Sequence, residues 1–145
     1  DNPDPKYAFG MSRDVYRELV RHVFLRGATS LYLFNLGYPG STVTAQSSFD
    51  SVEDVRAVYD ELLEHREFLD KGVPANFEVP TDNGVVWSGL RLQGRCLLRV
   101  ATFGAAPATA TVRPFPGMTK EVAVPVGGGT YMAHSDGRLE ALKQP

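Results

Sequence analysis

At Val73 the hydrophobic period of this 145-residue chain changes from that of a helix to that of a strand. A segment patterned at about 3.6 residues cannot alternate at two, so the two parts must fold into different kinds of element. Residues 1–72 read as helix, strand and helix, and residues 73–145 as a set of short antiparallel strands. The expected class is α+β. The stretch "SRDVYRELVRHVFLRG" puts Tyr16, Leu19, Val20 and Val23 on one helical face. Ser12 stands at the N-cap position, Asp14 in the first turn and Gly27 past the end, which together predict a helix between them. Further on, Asp50 and Glu53 have the spacing of a capping box. Val52, Val55, Tyr59 and Leu62 then recur at helical intervals up to Gly72.

Between these helices lies "RGATSLYLFNLGYPG", residues 26–40. It reads as a helix end, a strand apolar on nearly every residue, and a glycine-rich exit. A strand without polar alternation needs cover on both faces, as in parallel sheets flanked by helices. Two helices and a run of alternating strands are too little cover, so the expectation is that further polypeptide supplies the strand's neighbours. In the second part, "NFEV", "GVVWSGLRL", "RCLLRVATF", "ATATVRPF", "KEVAVPV" and "GTYMAHS" are strand candidates. They are separated by Asp-Asn-Gly, Gln-Gly, Ala-Ala-Pro, Pro-Gly and Gly-Gly-Gly breaks, a pattern that predicts an antiparallel meander or small sandwich. In "CLLRVATF" Cys96, Leu98, Val100 and Thr102 share one face and Leu97, Arg99, Ala101 and Phe103 the other. Both faces carry apolar residues and both should be partly covered. "LEALKQP" is a last edge segment or a tail.

Composition narrows the function classes. Hydrophobic residues make up 43% and charged residues 22%, enough for one core and too ordered a mix for disorder. Fifteen basic against seventeen acidic residues, with no block of like charge, give no footprint for nucleic acid or an anionic membrane. No run of 18 apolar residues occurs, and "DNPDPKYAFG" lacks the charged-then-apolar order of a signal peptide. Cys96 stands alone in a strand and fits a buried, inert thiol better than a nucleophile. His22, His65 and His134 occur singly, without a second ligand at metal-binding spacing, and read as surface or capping residues. No metal or other cofactor is expected. "EHREFLDK" fits the solvated face of a helix. "GGGTY" at 127–131 is a turn, because no helix follows it to hold an anion. Trp87 fits a core or interdomain anchor more simply than a sugar platform.

The order of elements resembles the last turn and C-terminal β-domain of a TIM-barrel glycoside hydrolase. "HVFLRGATSLYLFNLGYP" corresponds to barrel helix seven and strand eight, and "SVEDVRAVYDELLEHREFLD" to the closing helix. The resemblance implies that residues 1–72 end a (β/α)8 barrel, that the β-domain begins near Val73, and that the parent cleaves glycosidic bonds with two carboxylates. It also explains the apolar strand, since a barrel strand has neighbours on both edges and cover on both sides.

In that setting the C-terminal end of the strand faces the substrate cleft. Between Leu31 and Phe49 there is no Asp or Glu, so the catalytic pair is expected upstream, this chain holds no catalytic residue, and alone it should be inactive. The candidate substrate contacts are Phe34 and Tyr38, whose rings can stack on a sugar face, and Asn35, whose amide can bond a hydroxyl. As simply, Asn35 caps a turn before Gly37 and Phe34 belongs to the core. The expected partners are a carbohydrate substrate, bound through the parent protein, and the remainder of the parent chain. A second hypothesis is a non-catalytic module whose sheet, with Trp87 and Phe103 or Phe115 on an exposed face, binds a glycan or a protein. A third is a stand-alone α/β domain whose early strand joins the later sheet.

Overall fold

The computed structural model describes residues 12–32, 45–78, 84–103 and 108–143. Its first element, α1 (Arg13–Phe24), starts where Ser12 in extended conformation accepts a hydrogen bond from the Val15 amide. It ends in a turn with Gly27 at φ +89°, a left-handed position that a side chain would strain. Next comes α2 (Ala45–Leu62), which begins earlier than the Asp50–Glu53 spacing predicts. A 3-10 turn (Leu63–His65) and α3 (Arg66–Lys71) complete the helical part. Gly72, the expected stop, follows directly.

Seven strands follow: β1 (Val73–Pro74), β2 (Val85–Leu92), β3 (Arg95–Thr102), β4 (Ala108–Val112), β5 (Lys120–Val124), β6 (Gly129–His134) and β7 (Leu139–Ala141). Every described pairing is antiparallel. The first sheet has the order β1-β2-β3-β6-β7, and β4 and β5 pair in a second, two-stranded sheet. The α+β class is therefore observed. The β2–β3 turn is made by Gln93 and Gly94, both at positive φ. "NFEV" does not form a strand over its described residues 76–78; β1 lies just before it.

The alternation in β3 divides two cores. Cys96, Leu98 and Val100 share a cluster with Trp87 of β2 and with Ala110, Val112, Val122 and Val124 of the second sheet. On the opposite face, Leu90 and Leu97 pack with Val20, Phe24, Leu25, Val58, Leu62 and Phe68 of the helices. Helices cover one face of the main sheet and the small sheet covers the other, so β3 is buried from Cys96 to Ala101. Segments 1–72 and 73–145 thus contribute to a common hydrophobic cluster.

The direction of the helices is set by a ladder of contacts. Arg13 and Arg17 both bind Asp54 in the middle of α2, Arg21 binds Glu61 near its C-terminal end, and Phe24 meets Tyr59 with ring centroids 5.6 Å apart. The first half of α1 thus meets the middle of α2, and its second half meets the last turn of α2. The two helices run parallel, side by side.

The apolar segment between them departs from the expectation where it can be followed. Leu31 and Tyr32 lie outside any strand, and Tyr32 is 94% exposed. Residues 33–44 lie outside the described part of the chain.

Candidate functional site

The expected substrate contacts Phe34, Asn35 and Tyr38 lie outside the described residues. Within them, polar chemistry concentrates where α1 crosses the main sheet. Residues four apart on a helix share a face, so Glu18 and His22 form one stripe, and Arg26 follows in the turn after the helix. Antiparallel register places Ser88 of β2 opposite Arg99 of β3, and both project toward that stripe.

Arg99 binds Glu18 bidentately, Nε to Oε1 and Nη2 to Oε2, each at 2.7 Å. Its remaining donors reach the Thr130 hydroxyl at 3.1 Å and the Gly127 carbonyl at 2.6 Å. Gly128, at φ +80°, keeps that approach open, because a Cβ there would stand 2.6 Å from Arg99 Nη2. Arg21 adds a bond to Glu18 and also holds Glu61. Burial by itself raises the pKa of the Glu18 carboxyl. The Arg99 guanidinium and the adjacent His22 ring more than offset this and hold it down at about 2. Asp54, buried beneath Arg13 and Arg17, is lowered for the same kind of reason, led by the hydrogen bond from Arg13.

His22 is buried, against its expected surface position, at 4% exposure. Its Nδ1 lies 2.9 Å from Ser88 Oγ, which also accepts from Arg26 Nε at 2.9 Å. The other ring nitrogen, Nε2, lies 3.3 Å from Glu18 Oε1 and out of line for a hydrogen bond. Serine, imidazole and carboxylate stand in the order of a nucleophilic relay. Ser88, however, has no exposed surface and its oxygen is already engaged by Arg26. The arrangement is a polar seam that docks a helix on a sheet, in which Glu18, Arg99 and Ser88 are hydrogen-bonded and His22 Nε2 is not.

Two clefts flank α1 and share Phe103, which is 40% exposed. One, of about 330 Å³, is lined by Asp14, Arg17 and Glu18 with Thr102 and Gly127. The other, of about 410 Å³, is almost wholly apolar, walled by Leu19, Val23 and Val86 beside His22 and Arg26. Neither holds two free carboxylates, since Glu18 is engaged by Arg99. No group of three or more potential metal ligands occurs among the described residues.

The other sequence candidates resolve individually. Trp87 is buried at 9% and belongs to the core between the sheets, where Phe115 also packs. The exposed aromatic face that a sheet-based binding module needs is absent at these two positions. Cys96 has no exposed surface, and burial pushes its thiol up to about 12, so it is inert as expected. His134 lies 3.3 Å from Glu140 and is partly buried.

Sequence reasoning missed the seam, although a signal was present. Arg99 within "CLLRVA" and Ser88 within "VVWSGL" are isolated polar residues in apolar strands, and such groups require partners. Comparison with known proteins returns no matching family model, no matching curated protein and no matching solved structure.

Proposed function

We propose that the chain is the C-terminal part of a carbohydrate-active hydrolase. In this reading α1 and α2 are the last two helices of a β/α barrel, and the later strands form a supporting β-sandwich. The catalytic carboxylates lie on upstream strands, while Phe34, Asn35 and Tyr38 supply one rim of the sugar cleft.

The observation that carries the reading is the parallel course of α1 and α2. A chain that leaves one helix at its C-terminal end must run back the length of the other before entering it. Consecutive helices of a β/α barrel are joined in this way, with a strand as the return. The expected inner faces of the helices also retain uncovered apolar residues: Leu19 is 36% exposed, Val23 39%, Val52 49% and Tyr59 43%. Helices covered on one face by a sheet and left apolar on another fit a position between two layers. The carboxylates Glu18, Asp54 and Glu61 are bound to arginines, which agrees with an acid–base pair located elsewhere.

The test is to assay the 145-residue chain and the complete parent polypeptide against a panel of aryl glycosides. The chain alone should give no turnover. The parent should hydrolyse one of them and lose that activity when an upstream strand-end Asp or Glu is replaced by its amide. Turnover by the isolated chain would overturn the assignment, as would a parent without glycosidase activity.

A further inference from the structure

We propose that Arg26 is a positioning residue, a latch through which the main sheet fixes where the chain leaves α1. The proposal rests on the functional reading above, because Phe34, Asn35 and Tyr38 follow Arg26 by eight, nine and twelve residues.

One guanidinium joins three parts of the fold. Arg26 Nε donates to Ser88 Oγ at 2.9 Å, Nη1 to the Glu78 carbonyl at 2.9 Å, and Nη2 to the Trp87 carbonyl at 3.4 Å. Asn76 reinforces the same point: its Nδ2 donates to the Trp87 carbonyl at 2.7 Å, and its Oδ1 accepts from the Glu78 amide at 2.8 Å. The helix end therefore gains partners from the strand β2 and from the segment leading into it. A planar fork suits this role, since its donors diverge in fixed directions toward separate acceptors.

The backbone at the exit is equally constrained. Gly27 and Ala28 donate back to the Phe24 and Val23 carbonyls at 2.9 and 3.3 Å. A Cβ on Gly27 would stand 2.8 Å from Pro74 Cγ, so β1 closes on this turn from the other side. Helix ends ordinarily fray because their last groups lack intrahelical partners. Here the sheet removes that freedom at the point from which the rim segment departs.

Amide hydrogen exchange at Gly27 and Ala28, followed by NMR on the intact chain, tests the latch. Arg26→Met should accelerate exchange at these two amides about tenfold or more. Arg26→Lys should stay closer to the wild type, because its ammonium can still donate to Ser88 Oγ and the Glu78 carbonyl. Val112→Ala, a cavity in the second sheet, serves as a control for general loss of stability and should leave the two amides nearly unchanged. Should Arg26→Met fail to fold, Ser88→Ala, which removes one acceptor, should still accelerate the same amides. The proposal is overturned if Arg26→Met or Ser88→Ala exchanges like the wild type. Equal acceleration by Val112→Ala, or a lysine variant no better than methionine, would overturn it too. These outcomes concern the latch alone, whereas the assay of the parent polypeptide concerns the reaction.

Discussion

Glu18 and Arg99, 81 residues apart in the chain, meet through two hydrogen bonds of 2.7 Å with 8% and 4% of their surfaces exposed. A pair so removed from water gains little net stability over a well-packed apolar pair, but losing one member strands the other's charge. Glu18→Gln or Arg99→Met should therefore cost about 3–5 kcal/mol. The double variant Glu18→Leu with Arg99→Met should cost less than either single change. Urea unfolding of the four proteins measures this directly, and a double variant less stable than the single variants would contradict it.

The same pair sets an acid limit. Glu18 falls from an ordinary 4.5 to about 2 in the folded state, so folding favours its ionised form. The stabilisation is complete above the unfolded value, declines as pH falls below it, and is gone once pH passes below about 2. Integrated over that window it amounts to about 3 kcal/mol. Asp54, lowered chiefly by Arg13, acts in the same direction. Stability measured by denaturant between neutral and acid pH should fall on acidification in the wild type, and Glu18→Gln should flatten the part due to Glu18.

Local signals were readable, and distant partnerships were not. Ser12 and Gly27 bound α1 because caps act through neighbouring backbone groups. The Gln93–Gly94 turn joins two strands whose period of two was plain. The two-faced burial of "CLLRVATF" also followed from its alternation. The start of α2 at Ala45 is not legible in the sequence because Asp50 and Glu53 fit a helix interior as well as its cap. His22 reads from the sequence as a surface residue because its partner Ser88 is 66 residues away and is aligned only by sheet register. The choice of Phe34, Asn35 and Tyr38 rested on resemblance, and those residues lie outside the described part of the chain.

Cys96 offers a probe of core integrity. With no exposed surface and a thiol pushed up to about 12, it lacks both access and thiolate at mildly alkaline pH. A disulfide-exchange reagent should label the native protein at least ~100-fold more slowly than the protein in denaturant. Fast labelling of the native protein would mean that the cluster shared by the two sheets opens readily.

Gly89 tests how tightly β2 packs beside β3. It pairs with Leu98, and a Cβ at this position would lie 2.6 Å from the Leu97 carbonyl oxygen, 2.8 Å from Leu98 Cδ2 and 3.3 Å from Cys96 Sγ. The leucine methyl can rotate away, but the carbonyl belongs to the β3 backbone and is fixed by the ladder. Gly89→Ala should thus crowd the β3 backbone and cost about 1–3 kcal/mol. Shortening the neighbour should not cure it: Leu98→Ala removes the methyl clash, leaves the carbonyl contact and adds a cavity of its own. The double variant should be less stable than Gly89→Ala alone. Thermal and denaturant unfolding of the three variants would decide this, and recovery of stability in the double variant would place the obstruction in the leucine side chain instead of the backbone.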